Sequence, residues 1–198
     1  MDGSVVALHA ESVPSDPTVL RWAVSDGLPG TGRLVAAPGA LGVLLGPAGP
    51  IVRAVAERGA LWTWLADAEW PRFGVAVRDA LIAALESPDQ WCFDPADDEV
   101  LLLVARDVIE GSLGDYIASH GGQISVLSAT DHRVEVRLSG TCANCPAAGL
   151  TLHQRLEQQL RQRTGDQSVV CAEPAAAHSG PRKSWLSPRQ RWMTGEGI

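Results

Sequence analysis

The stretch at residues 87–99 (SPDQWCFDPADDE) is the feature that most constrains the fold. Pro88 and Pro95 bracket it, Asp94, Asp97, Asp98 and Glu99 make it strongly acidic, and no helical or strand periodicity runs through it. Periodic sequence lies on both sides, so the chain divides near Asp94. The 198 residues suffice for two small domains. The expected arrangement is a first domain over 1–93, a second over 94–172 and a tail over 173–198. Asp97 or Asp98 is expected to cap the helix that opens the second domain, since a carboxylate suits its positive end.

The first region reads as mixed α/β. Residues 5–11 and 19–24 are candidate strands, with turn chemistry at 12–17 between them. Residues 51–56 suit a short helix. Residues 60–66 alternate as a strand, placing Leu61, Thr63 and Leu65 on one face and Trp62 and Trp64 on the other. Residues 75–86 carry Val77, Leu81, Ile82 and Leu85 at helical spacing.

The second region is clearer. Residues 100–119 form an amphipathic helix with Leu101, Val104, Val108, Ile109, Leu113, Tyr116 and Ile117 inward, stopped by Gly121-Gly122. Residues 124–127 and 134–138 are strands joined by a short hairpin at 130–133. Residues 146–163 are a second helix with Leu152, Leu156 and Leu160 one turn apart, and 169–171 a last short strand. The order α-β-β-α-β makes a small two-layer sandwich, so the fold class is α/β (α+β) with two mixed two-layer domains. The tail lacks sustained periodicity and mixes Arg182, Lys183, Arg189 and Arg191 with Trp185 and Trp192. It is expected to be disordered or to fold only on a partner.

The net charge of −7 argues against a general nucleic-acid binder. Residues 34–52 are uncharged and about as long as a bilayer span, but Pro38, Pro47, Pro50 and four glycines would interrupt a spanning helix. Arg21 is the first basic residue, so no leader pattern is visible, and a cytoplasmic protein is expected. In that compartment Cys92, Cys142, Cys145 and Cys171 stay reduced. A close cysteine pair there points to metal binding or redox chemistry.

That pair lies in Leu138-Ser-Gly-Thr-Cys142-Ala-Asn-Cys145-Pro146, between a strand end and a helix start. Gly140 can take the backbone angles of a sharp turn. Pro146 suits the first helical turn, where its missing N–H costs nothing. The helix N-terminus, with free N–H groups and partial positive charge, favours thiolates and anionic clusters. Two thiolates are nevertheless half a site, because structural zinc and the common iron–sulfur clusters take four protein ligands. No second CxxC is present and no histidine stands at zinc-finger spacing from Cys145. The other ligands must come from elsewhere in the fold or from a second chain, and a symmetric pair of subunits supplies four thiolates directly.

Residues 99–171 resemble the C-terminal NifU-like domain, an iron–sulfur scaffold and carrier module. The matching stretches are Gly121-Gly122, the strand at 133–138, Gly140-Thr-Cys142-Ala-Asn-Cys145-Pro146, Thr151-Leu152 and Leu156-Glu157. The first region resembles the N-terminal domain of Nfu-type proteins in the run from His9 to Trp22 and at Gly30-Thr-Gly32. The resemblance implies a [4Fe–4S] cluster bridging a homodimer through Cys142 and Cys145 and passed on to apo iron–sulfur proteins. It implies no reaction on a substrate, so no enzyme is expected. His120 stands where the family usually has an acidic residue, the first region is short of a strand against the family pattern between Ala60 and Trp70, which implies an altered sheet, and the tail lies outside the pattern.

Rival readings of the pair are a dithiol–disulfide oxidoreductase, a zinc site, and a structural pair in a non-metallated interaction module. The order of elements speaks against the first, because a thioredoxin-like dithiol follows a β-α-β unit. A last strand parallel to 134–138 would return toward the loop, making Cys171 a candidate accessory ligand, against the plainer reading of a small buried residue closing the strand. His120 is read first as a helix C-terminal histidine and second as a ligand or pH-sensitive neighbour of the cluster. Cys92 is read as packing, His153 as a surface residue, and His9 and His132 join no constellation. Trp62 and Trp64 are read as core packing before a docking patch.

Overall fold

A computed structural model describes residues 7–141, 146–165 and 169–174, with the side chains of 112, 146–153 and 169–174 left aside. The fold is α+β. The first unit is a six-stranded sheet built from β1 (Leu8–Ser12), β2 (Val19–Val24), β3 (Gly32–Ala36), β4 (Ile51–Glu57), β5 (Ala60–Leu65) and β6 (Cys92–Asp94). Its spatial order is β1-β2-β5-β4-β3-β6, and all neighbours are antiparallel. Helices α1 (Gly39–Leu45) and α2 (Trp70–Leu85) cover one face, and a 3-10 turn (Pro88–Gln90) leads into β6. The second unit contains α3 (Asp97–Glu110), α4 (Ser112–Ser119), β7 (Gly122–Thr130), β8 (Arg133–Gly140), α5 (Pro146–Thr164) and β9 (Val169–Pro174). In its three-stranded sheet β8 is central, antiparallel to β7 and parallel to β9.

Period-two alternation explains how the first sheet serves two cores. On β5, Leu61 and Leu65 pack with Trp22, Leu34, Leu41, Val77 and Leu81 on the α1/α2 side. Trp62 and Trp64 face the other way and pack with Val19 and Val55 against the second unit. The expected division of β5 into two faces is found, and the tryptophan face meets α3. Four layers result: α1/α2, the large sheet, the helices of the second unit, and the small sheet. The inward stripe on α2 falls at Val77, Ala80, Leu81 and Ala84, a run of i, i+3, i+4 and i+7 positions. Each fully buried leucine among these contributes about 1.5–3 kcal/mol relative to an exposed one.

Several expectations are corrected. Residues 51–57 form strand β4 and not a short helix, because pairing on both sides with β5 and β3 overrides the local pattern. The sheet also gains β3 and the edge strand β6. The single helix expected at 100–119 is two, broken at Gly111, whose ψ of −137° leaves the helical region. Ala96 stands at the N-cap of α3 without a side-chain cap bond, and Asp97, Asp98 and Glu99 occupy the first turn, where their charge still meets the helix dipole. The β7–β8 hairpin closes through Asp131 and His132, both at positive φ (51° and 59°), the signature of a type I′ turn.

Residues 34–52 resolve into the end of β3, the seven-residue α1 and the start of β4; among the described residues no helix is long and apolar enough to cross a membrane. Cys92, expected to pack, is exposed on β6, while its neighbours Trp91 and Phe93 stack at 5.9 Å and do the packing. Of the tail expected over 173–198, residues 173 and 174 are the end of β9, and 175–198 lie outside the described residues.

Candidate functional site

Cys142 and Cys145, with Ala143 and Asn144 between them, lie outside the described residues, but the frame on either side of them is defined. β8 delivers the chain to Gly140 and Thr141, and α5 takes it up again at Pro146. Gly140 sits at φ +66°, and a Cβ there would come within 2.5 Å of the Gly121 carbonyl oxygen, so glycine alone fits. Gly121, itself at φ +72°, ends α4 and turns the chain into β7. The two turns are clasped: Gly122 pairs with Gly140, Thr141 N–H donates to the Gly121 carbonyl (3.2 Å), and Thr141 Oγ1 donates to the His120 carbonyl (2.5 Å). The glycine pair at 121–122 is therefore more than a helix stop. It braces the entrance of the cysteine loop.

His120 caps the C-terminal end of α4. Its Nδ1 lies 2.9 Å from the Tyr116 carbonyl and its ring rests on Tyr116 at 4.7 Å, with the Arg155 guanidinium also over the Tyr116 ring, 4.8 Å from its centroid. The Ser119 hydroxyl lies 3.0 Å from the same nitrogen and donates to the Tyr116 carbonyl (2.7 Å). His120 thus stands beside the clasp through its backbone carbonyl. On the exit side, α5 runs for 19 residues, with its N-terminal N–H groups at the loop and Arg161 and Arg163 in its last turn. A thiolate pair between Thr141 and Pro146 would meet a dipole of favourable sign.

β9 is parallel to β8, the direction expected of it, and its register sets Cys171 opposite Glu135. Five residues of strand then separate that position from Gly140, about 17 Å at 3.3 Å per residue. Cys171 belongs to the middle of the strand and does not close it, since β9 continues to Pro174. His153 lies on α5 with its side chain outside the described set; His9 is exposed on β1 and His132 forms the hairpin turn. Among the described residues no three His, Cys, Asp or Glu side chains group as metal ligands.

The far end of α5 carries a feature that no motif announced. Glu57, at the end of β4, is 1% exposed. It accepts from Arg163 Nε (2.7 Å) and a terminal guanidinium nitrogen (2.6 Å), from Arg21 Nε (2.8 Å) and from the Trp62 indole (3.1 Å). Arg163 also reaches Asp107 on α3 at 2.5 Å, and its carbonyl accepts from Arg58 N–H. Burial would lower the pKa of Arg163, but Glu57 and Asp107 outweigh it and the guanidinium is held above its ordinary value. A second tie joins Glu99 of α3 to Arg33 on β3 and Arg53 on β4. Burial would raise the Glu99 pKa; the two arginines prevail and hold it low. The helix that leaves the cysteine loop is thereby fixed at its other end to the large sheet. A glutamate at a strand end and an arginine at a helix end look like ordinary surface residues in sequence; 106 positions separate them.

Residues 106–171 match the family model described as NifU-like domain, and the match spans the clasp, the cysteine loop and α5. The Fe/S biogenesis protein NfuA of Idiomarina loihiensis is 31% identical over 80 residues, covering 40% of this chain and 42% of that protein. NfuA of Xanthomonas oryzae pv. oryzae is 31% identical over 86 residues, 43% of this chain and 42% of that protein. NifU-like protein 1, chloroplastic, of Arabidopsis thaliana is 30% identical over 60 residues, 30% of this chain and 26% of that protein. The matched part thus spans less than half the length of each of these relatives.

Proposed function

We propose, from the match of residues 106–171 to the NifU/Nfu-type family, that the chain carries iron–sulfur clusters for delivery to apo-proteins. The observation that bears most weight is the frame of the loop: a clasped turn pair ends at Thr141 and a long helix begins at Pro146, with Cys142 and Cys145 on the four residues between. Two thiolates near a helix N-terminus suit an anionic cluster. Four sulfurs are needed, and a homodimer in which each subunit gives Cys142 and Cys145 supplies them; the resemblance to the NifU-like domain implies that the cargo they bridge is a [4Fe–4S] cluster. Cys171, half a strand away, is left out of the ligand set.

A cluster held at the seam between two copies is released when the seam opens, which suits a carrier better than a catalyst. Gly140 and the clasp keep the loop in place, and α5 supplies a favourable field. The thiols must be reduced before loading, so the cytoplasm is the proposed setting.

The test is anaerobic reconstitution with iron and sulfide, read by absorption spectroscopy, iron content and native mass. The expected product holds about four irons per dimer, the content of one [4Fe–4S] cluster shared by two subunits, and Cys142→Ala and Cys145→Ala each abolish it. A colourless monomer whose Cys142–Cys145 disulfide cycles readily would refute the reading in favour of dithiol exchange.

A further inference from the structure

A cleft of about 410 Å³ opens between the large sheet and α3. Its floor is mostly apolar: Trp64 of β5, with the Arg53 guanidinium 4.2 Å from its ring centroid, and Leu102 and Leu103 of α3 line it and are only partly buried. Asp16 and Glu110 stand at its rim without a cationic partner among the described residues; Asp16 accepts from Thr18 and Glu110 from Ser15. Arg106 is the rim's one uncompensated cation in that set, since Arg53 is paired with Glu99. Apolar side chains from two layers left half-covered beneath an acidic rim fit an aromatic and basic segment.

Such a segment is part of the chain. Residues 175–198 hold Arg182, Lys183, Arg189 and Arg191 against Glu196, a net +3, so that a whole-chain charge of −7 leaves −10 on residues 1–174. The same segment contains Trp185 and Trp192. It departs from Pro174, which pairs with Leu138 in the small sheet. The helix layer separates that sheet from the large one, so the cleft lies about 20 Å away at ~10 Å per layer. Lys183 is nine residues beyond Pro174 and can span roughly 30 Å, and Trp185 and Trp192 reach further.

We propose that the cleft between β5 and α3 is a docking site for the chain's own C-terminal segment, a tryptophan lying on Trp64, Leu102 and Leu103 and the flanking basic residues meeting Asp16 and Glu110. Docked in this way, the segment shields the seam between the two units. The proposal is independent of what Cys142 and Cys145 bind.

Lys183 is the single lysine of the sequence, which makes the test specific. The full-length protein, prepared as an equal mixture of ¹⁴N- and ¹⁵N-labelled chains, is coupled with a zero-length carbodiimide and digested, and the linked peptides are identified by mass. The expected dominant links join Lys183 to Asp16 or Glu110 within one chain. Substituting Trp185→Ser and Trp192→Ser together, which leaves Lys183 in place, should lower their yield about fivefold or more as apolar anchoring is lost. Links to Asp79 or Glu86, exposed residues on the α2 side of the large sheet, at equal frequency would overturn the proposal. So would links found only between differently labelled chains, which would assign the segment to a second copy. An undiminished yield in the double variant would overturn it as well.

Discussion

Replacing Arg163 by methionine tests the tie between α5 and the large sheet, because it removes the charge while keeping an apolar stem of similar length. Glu57 is 1% exposed and would lose two of its four donated hydrogen bonds, keeping those from Arg21 and Trp62. Hydrogen bonds to a charged group contribute about 1.5–3 kcal/mol each, and breaking one partner of a buried pair costs about 3–5 kcal/mol. Arg21 still neutralises the carboxylate, which places the loss below that range, at about 2–3 kcal/mol. Asp107 adds little, because its side chain is 32% exposed and can be hydrated. With a urea m-value of about 2 kcal/mol/M, the midpoint should fall by roughly 1–1.5 M. Urea titration followed by tryptophan fluorescence and by circular dichroism, which should coincide, measures the change. Arg161→Met is the control: its i,i+4 pair with Glu157 is exposed and should cost no more than about 0.5 kcal/mol. Glu57→Gln combined with Arg163→Met should be less destabilising than the sum of the two, because a neutral amide tolerates the lost partner. A loss under about 0.5 kcal/mol for Arg163→Met, or full additivity in the double variant, would refute the reasoning.

The remaining predictions concern other parts of the frame. Gly140→Ala should cost about 2 kcal/mol or more, from the left-handed backbone and the approach to the Gly121 carbonyl, and chemical denaturation measures it. Thr63→Val leaves the Trp22 indole N–H without its buried acceptor, the 2.8 Å bond to Thr63 Oγ1, and should cost about 1–3 kcal/mol by thermal unfolding. Glu99 has a folded-state pKa below its ordinary 4.5, so its contribution is complete above that value and is lost as pH falls through the folded value. Between pH 7 and pH 3 the wild type should therefore lose more stability than Glu99→Gln, by about 0.5–1 kcal/mol because Arg33 and Arg53 are substantially exposed; equal losses would assign the acid sensitivity elsewhere.

Much of the second unit was legible in the sequence, because its signals are local. Gly121-Gly122, the alternation of Val134, Val136 and Leu138, and the spacing of Leu152, Leu156 and Leu160 each report on neighbours within one element. The same holds for β5, whose two faces follow from period two alone. The first sheet was harder. Residues 51–56 contain alanine, arginine and valine in an order that fits either state, and only the partners β3 and β5 decide for a strand. The break at Gly111 was masked by an apolar pattern that continues in phase through α4.

For the candidate site, the sequence by itself determined the chemistry: two thiols at CxxC spacing, a glycine before them, a proline after, and from these the need for a second source of ligands. Tertiary structure alone decided what holds that loop and what its helix is tied to. The clasp joins residues 121 and 141 across a hairpin, and Glu57 meets Arg163 across 106 positions. Neither contact has a local signature, since pairing at such separation depends on the stacking of layers and not on the period of any one element. Burial converts Glu57 from an ordinary strand-end carboxylate into the anchor of α5, and that burial exists only once the large sheet and the helices of the second unit have packed together.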